Sequence, residues 1–345
     1  MIQKKLLVPA TAVALLAAGY FGLCAYASKQ AQNHLDDFVY DNHLNGSLSW
    51  ASVSSSPLGG TIVIKDIELG DGKAGGLRAE RVTVTDLVNS DSRTRVHIEA
   101  TGIQASKGSL QGLQQLGAVA GMIGMGAGLS GMSNFGPLLS SGRNELKPFD
   151  VTLSLDVDDD ASRATGEALV DMPDLFTFTA SYRMDNVKDL RRTVSDLQHG
   201  DKMAAFELLG GVAQGLQNAF AWAELSEFKV TFNEQGMVKR SVLLAKRYGT
   251  PLDPTVGSAD QQRQAWFESS LKSWQKGCES KMRADAPMLV DSCELLVKLF
   301  KGKNDGVQLS IDPKAPVRVV DVMSILGGGN TRQVLVRLNP KVNSL

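Results

Sequence analysis

The sequence predicts an α+β fold: an elongated, mainly antiparallel twisted sheet with helices packed on it and a C-terminal helical hairpin, following an N-terminal transmembrane helix. Three observations predict it. Apolar and polar residues alternate from Ser49 to Ala100 and again from Phe149 to Met184, and because strand side chains alternate between faces, each run builds a sheet with one apolar and one polar face. Two helical patterns with clear start signals stand close together between Ser258 and Gly302. An uncharged run of 22 residues, Leu6 to Ala27, opens the chain, and as a helix it would reach roughly 33 Å, the thickness of a bilayer core.

That first run sets the expected compartment. Lys4 and Lys5 on the short flank hold their end in the cytoplasm and place everything after Ser28 on the far side, which in a bacterium is the periplasm. The expected location is the bacterial inner membrane, single-pass, with a periplasmic C-terminal domain. A cleaved signal peptide competes, since Ala25-Tyr26-Ala27 has the small-x-small pattern of a cleavage site, and it would leave a soluble periplasmic protein. A lipoprotein fits less well because Leu23 precedes Cys24. All three readings export the rest of the chain.

The remaining elements follow in order. Pro57-Leu58-Gly59-Gly60 turns the chain into a strand carrying Ile62, Ile64, Ile67 and Leu69, whose apolar face slips once between Ile64 and Ile67, as a bulge does. Leu77, Ala79, Val82 and Val84, then Val96, Ile98 and Ala100, repeat the grammar and make an antiparallel meander. Gly108 to Gly142 carries ten glycines, three methionines and no charge. That stretch is too poor in strongly apolar residues to span a membrane well, and reads as a buried or interfacial insert or a membrane-touching segment. Strands resume at FDVTLSLDV, TGEALVDM and LFTFTASYRM. Val187, Leu190, Val194 and Leu197, then Ala205, Leu208, Val212, Leu216 and Phe220, step at helical spacing.

Next, ELSEFKVTFNEQGMVKRSVLLAKRYG reads as a strand or hairpin turning at Asn233 to Gly236, then a short helix closed by Gly249. Ser258-Ala-Asp-Gln261 is a capping box for a helix holding Phe267, Leu271 and Trp274 and stopping at Gly277. A second helix starts near Pro287 and runs to Gly302, and GVQLSID and TRQVLVRLN return the chain to strand. Four segments result: an anchor or signal (1–28), a strand-rich segment (29–107), the Gly/Met-rich insert (108–148) and an α+β body with the hairpin (149–345).

Composition narrows the function classes. Thirty-six basic and thirty-seven acidic residues leave a net charge of -1, so no global pull toward nucleic acid or anionic lipid is expected. Cys278 and Cys293 form an even pair in an oxidising compartment, where a disulfide would staple the helical hairpin; two buried free thiols are the alternative. Asp156, Asp158, Asp160 and Glu167 match a calcium-loop spacing, but Ala161 stands where that loop needs glycine and Arg163 puts a cation inside it. An acidic hairpin turn is the better reading. Gly126-x-Gly128-x-x-Gly131 follows no strand, so it is no dinucleotide fingerprint. His34, His43, His97 and His199 are scattered, and neither a catalytic residue, a metal site nor a cofactor is expected.

The anchor, the opening LSWASVSSSPLGGTIVIKDIEL with LRAERVTVTDL after it, and LSEFKVTFNEQGMVKRSVLLAKRYG before the hairpin resemble the YdgA-like family of inner-membrane-anchored periplasmic proteins, and more distantly AsmA-like proteins. The resemblance implies an elongated, strand-rich periplasmic body without catalytic residues, and a groove of twisted sheet whose apolar face shelters acyl chains. On this chain that face would be Ile62, Ile64, Val82, Val84, Val96 and Ile98. The expected function is a non-enzymatic envelope protein with the inner membrane, lipid or an envelope protein as partners, no nucleic acid, and an oligomer left open. The alternative is a structural or assembly factor with a closed core and no ligand.

Overall fold

The computed structural model describes residues 27–33, 35–37, 39–40, 46, 48–56, 60–69, 77–90, 92–105, 146–187, 222–326 and 331–345. These build one 12-stranded sheet in which every pairing is antiparallel. In chain order the strands are β1 (Leu48–Ser49), β2 (Ser52–Ser55), β3 (Thr61–Leu69), β4 (Leu77–Asn89), β5 (Arg93–Ala105), β6 (Phe149–Asp158), β7 (Arg163–Met172), β8 (Phe176–Asp185), β9 (Glu224–Glu234), β10 (Gly306–Ile311), β11 (Val317–Arg318) and β12 (Pro340–Ser344). The helices are α1 (Met237–Gly249), α2 (Ala259–Asp285), α3 (Val290–Phe300), α4 (Val319–Leu326) and α5 (Thr331–Leu338), with a 3-10 turn at Pro287–Leu289 before α3.

From β3 to β10 each strand pairs with the next in sequence. Such a meander needs only that each strand be followed by another of matching face, which the period-two pattern supplies. β1 and β2 lie end to end along β3, and β10 and β11 end to end along β9. The strand-rich segment and the body share this sheet, since β5 pairs with β6 from Arg93–Asp158 to Ile103–Phe149.

Helices cover two patches of the apolar face. Under α4 and α5, Val157, Ala164, Met184, Leu225 and Val317 pack with Val334 and Leu338. Under α1 and α3, Ile103, Phe149, Met172 and Phe176 pack with Met237, Val238 and Leu299. The Phe176 and Phe232 rings, 5.6 Å apart, sit within this second cluster. Glu234 fixes the turn from β9 into α1, its carboxylate accepting from the Gly236 N–H at 2.6 Å and the Lys239 N–H at 3.1 Å. The capping box on α2 is present, with Gln261 N–H donating to Ser258 Oγ and Ser258 N–H donating to Gln261 Oε1.

The expected fold class is corrected here. The described chain is one large antiparallel sheet of 12 strands carrying helices, and none of its helices is long and apolar enough to cross a membrane. The longest, α2, has 27 residues, but nine of them are charged and Leu271 is its one buried side chain. The apolar run before Ala27, most of the helical pattern from Val187 to Phe220 and the Gly108 to Gly142 insert lie outside the described residues, so the helices on the sheet are other ones.

Two boundaries also differ. α2 does not stop at Gly277 but runs to Asp285. One internal glycine costs a helix only about 1 kcal/mol, whereas Pro287 holds Ala286 out of helical backbone at φ -149°. TRQVLVRLN was expected as strand and forms helix α5 over its first eight residues. Val334, Val336 and Leu338 fit either period, and packing decides: Val334 and Leu338, four apart, are buried, while Val336 is 60 % exposed.

Cys278 and Cys293 stand at disulfide distance, with Cα atoms 6.0 Å apart. They join α2 to α3, where the Trp274 and Phe300 rings meet edge to face at 5.8 Å.

Candidate functional site

The strand registers place all six sequence-expected binding residues on one face. Ile62 pairs with Val84 and Val84 with Ile98, while Ile64 pairs with Val82. Val96 lies across from Leu155 and Ile98 from Leu153. All six are half-buried, and none belongs to either helix-covered cluster.

Followed onward, the row through Ile62 crosses nine strands without a polar side chain. It runs Ile62, Val84, Ile98, Leu153, Ala168, Ala180, Val230, Leu309 and Val342. At about 4.8 Å per strand the row is roughly 38 Å long. Rows on either side feed the two clusters: Ala100, Val151, Val170, Phe178, Phe232 and Val307 pack toward α1 and α3, and Leu155, Tyr182, Phe228 and Ile311 toward α4 and α5. The central row therefore forms a strip between two covered zones, with the small side chains of Ala168 and Ala180 at its middle. The sequence named binding residues only as far as Ile98, although the strands from Phe149 onward were expected to continue the apolar face; what was lacking was the register that aligns one strand's apolar set with the next, and the strand of Val342 was not expected.

The apolar face stays continuous through an irregularity. Asp66, Glu80 and Gly102 occupy one row of β3, β4 and β5. There the alternation of all three strands slips by one residue, with Asp66 at φ 51° and Gly102 at φ 64°. Only glycine fits at 102, since a Cβ there would meet Glu80 Cβ at 2.9 Å in a left-handed backbone. The slip ends at β6, where a bulge between Ala100 and Ile103 restores the register. Gly102 N–H donates to Asp150 Oδ1 at 2.8 Å at that point.

The opposite face is a lattice of cross-strand ion pairs. Arg93 grips Asp156 with two hydrogen bonds of 2.9 and 2.5 Å, Arg163 meets Asp185 at 3.0 Å and Arg183 meets Glu227 at 3.4 Å. The Arg93 hydrogen bond holds the Asp156 carboxyl below the usual carboxylate range, and the Ser226 hydroxyl, with Arg163, does the same for Asp185. The β6–β7 hairpin turns tightly at Asp159 to Ser162, and Asp158 Oδ1 accepts from Ala161 N–H at 2.9 Å. The calcium-loop spacing thus falls on two paired strands and a turn.

A groove of about 320 Å³ on this polar face is bordered by Arg95, His97, Ser154, Asp156, Glu167 and Arg183. His97 Nδ1 and Ser154 Oγ are hydrogen-bonded at 2.7 Å. The register orders the row His97, Ser154, Glu167, with the hydroxyl in the middle. A nucleophilic triad needs the imidazole between acid and hydroxyl, so this row lacks the arrangement that would activate Ser154. Its chemistry is that of a solvated polar sheet face.

No family model matches the chain, and no curated protein matches it, so the likeness to YdgA-like proteins rests on the quoted residues alone.

Proposed function

We propose that this chain is a non-enzymatic envelope protein, delivered by its N-terminal apolar run to the periplasmic side of the inner membrane, that shelters a lipid acyl chain along the central apolar row of its sheet. The observation that carries the reading is the row from Ile62 to Val342, nine strands wide, apolar throughout, and outside both clusters that the described helices cover. An acyl chain is long, narrow and apolar, as this strip is. Burial at about 25 cal/mol per Å² favours the pairing. The resemblance to YdgA-like and AsmA-like proteins supports the same reading.

A second reading, a structural factor whose apolar face is closed by its own chain, is favoured by the helices that already cap both neighbouring zones. One experiment separates the two. The full chain is purified gently in Val84→Lys and Thr83→Lys forms, which place the same charge on the apolar and polar faces of β4, and lipid in the organic extract is quantified against wild type. The proposal expects Thr83→Lys to keep the wild-type lipid and Val84→Lys to lose a defined part of it while circular dichroism is unchanged. Equal lipid in all three folded proteins, or a Val84→Lys chain that unfolds, points to the closed structural reading.

A further inference from the structure

We propose that the outer surface of α1 and the loop into α2 is a docking surface for an anionic bilayer, separate from the acyl-chain strip and independent of that reading. α1 carries Lys239, Arg240, Lys246 and Arg247 and no acidic residue. At about 100° per residue, Lys239, Leu243, Lys246 and Arg247 share one stripe, facing away from Met237, Val238 and Val242, which pack on the sheet. The stripe is apolar as well as basic. On the stripe Leu243 is 57 % exposed; beyond it, Tyr248 at the helix's C-terminal end is 75 % exposed, and in the following loop Leu252 is 46 % and Val256 58 % exposed. Large apolar side chains standing in water beside cations are what an interfacial surface presents to lipid headgroups.

The geometry holds this surface ready. Lys246 Nζ donates to Gln264 Oε1 at 2.8 Å and lies 4.5 Å from the Phe267 ring centre, which braces α1 against α2. Between the two helices is a cleft of about 530 Å³ lined by Leu243, Lys246, Arg247, Asp260, Arg263 and Gln264. Asp260, the acid that lines it, pairs with Arg263 Nη1 at 3.1 Å, and in the loop before α2 Asp253 accepts from the Thr255 N–H and hydroxyl. Arg263 Nε is buried and has no hydrogen-bond partner among the described residues. The whole chain is nearly neutral at -1, so the attraction is local and would extend about one Debye length, roughly 10 Å at 0.1 M salt. Complementary charge selects an anionic membrane over a neutral one, and the exposed leucine, tyrosine and valine supply the insertion.

The test uses the full chain with Cys24→Ser, so that a polarity-sensitive thiol dye reports only on an introduced Leu243→Cys or, as a control on the polar sheet face, Lys229→Cys. Vesicles of phosphatidylglycerol and phosphatidylcholine mixed, or of phosphatidylcholine alone, are compared at fixed lipid. The proposal expects the dye at 243 to shift to an apolar environment with anionic vesicles only, the dye at 229 to remain in water, and the docked fraction to fall about fivefold for each cation removed in Lys239→Gln and Arg247→Gln. Raising salt should release it. A dye at 243 that stays in water, or one that shifts equally on neutral vesicles, overturns the proposal. So does a shift that appears without vesicles and grows with protein concentration, which would make the occupant a second copy of the chain.

Discussion

Gly166 and Tyr182 offer the sharpest test of how the apolar face is packed. They are cross-strand partners on β7 and β8, and the Tyr182 ring lies over the glycine so closely that a Cβ at 166 would stand 2.6 Å from Cζ and 2.7 Å from the hydroxyl oxygen. Burial pushes the Tyr182 phenol above its ordinary value, and the ring packs on the cluster under α4 and α5. Gly166→Ala should therefore displace a ring that has little room to move. Overpacking of that kind costs about 1–3 kcal/mol, offset by about 0.4–1 kcal/mol from a less flexible unfolded chain, for a net loss of about 1–2 kcal/mol. In a Tyr182→Ala background the obstacle is gone and the same substitution should stabilise by about 0.5 kcal/mol. The predicted coupling is thus about 1.5–2.5 kcal/mol, well outside the additivity expected of independent sites. Urea unfolding of the four proteins in mild detergent, followed by tryptophan fluorescence, measures it, and additivity within about 0.5 kcal/mol would refute the packing argument. The phenol gives a second readout. A raised folded value means stability is complete below about pH 10 and declines as pH rises and the unfolded chain ionises first; in Gly166→Ala that decline should weaken as the ring moves toward water.

Three further predictions follow from other parts of the structure. Thiol labelling of the denatured chain should find Cys278 and Cys293 blocked until reductant is added, and replacing both by alanine should cost about 3 kcal/mol, the value for a loop of their 15-residue separation; two freely labelled thiols would contradict the bond. Because Arg93 depresses Asp156, the pair stabilises fully above the unfolded carboxylate value near pH 4 and its contribution is lost as pH falls through the lower folded value, so Asp156→Asn should flatten the acid limb of the stability curve and an unchanged limb would count against it. A reporter active only outside the cytoplasm, fused after Leu345, should be active if the body is exported, and a full-length fusion that stays inactive would refute the proposed location.

Much of the sheet was legible because period two is a local signal. Phe149 to Met184 alternates so regularly that three strands could be placed within a residue or two; the Ile64 to Ile67 slip marked a real irregularity at Asp66, but β3 and β4 keep register across it and the bulge falls between β5 and β6 instead. What sequence could not supply was alignment between strands, on which the strip from Ile62 to Val342 depends. Helices were legible where a cap marked them, as at Ser258, and misread where two periods fitted equally, as at Val334 to Leu338. There the deciding fact was the buried cluster waiting at Val157, Ala164 and Leu225, which lies far away in the chain. The docking surface was hidden for a different reason: a basic amphipathic stripe reads as an ordinary solvated helix face until the structure shows which of its apolar residues the sheet leaves outside.

The row of Asp66, Glu80 and Gly102 also bears on how so repetitive a sheet finds a single alignment. Strands made of alternating valine, isoleucine and threonine can slide past one another by two residues and still present an apolar face, so hydrophobic pattern alone resists only odd slips. A dislocation shared by three neighbours removes that freedom. Any even slip of β4 against β3 or β5 would set an irregular residue beside a regular pleat, and against β5 it would carry the Glu80 side chain off the glycine that accommodates it, onto Ala100 or Gln104 or beyond. The row acts as the wards of a lock, admitting one alignment, and Gly102 is the notch that a side chain would fill.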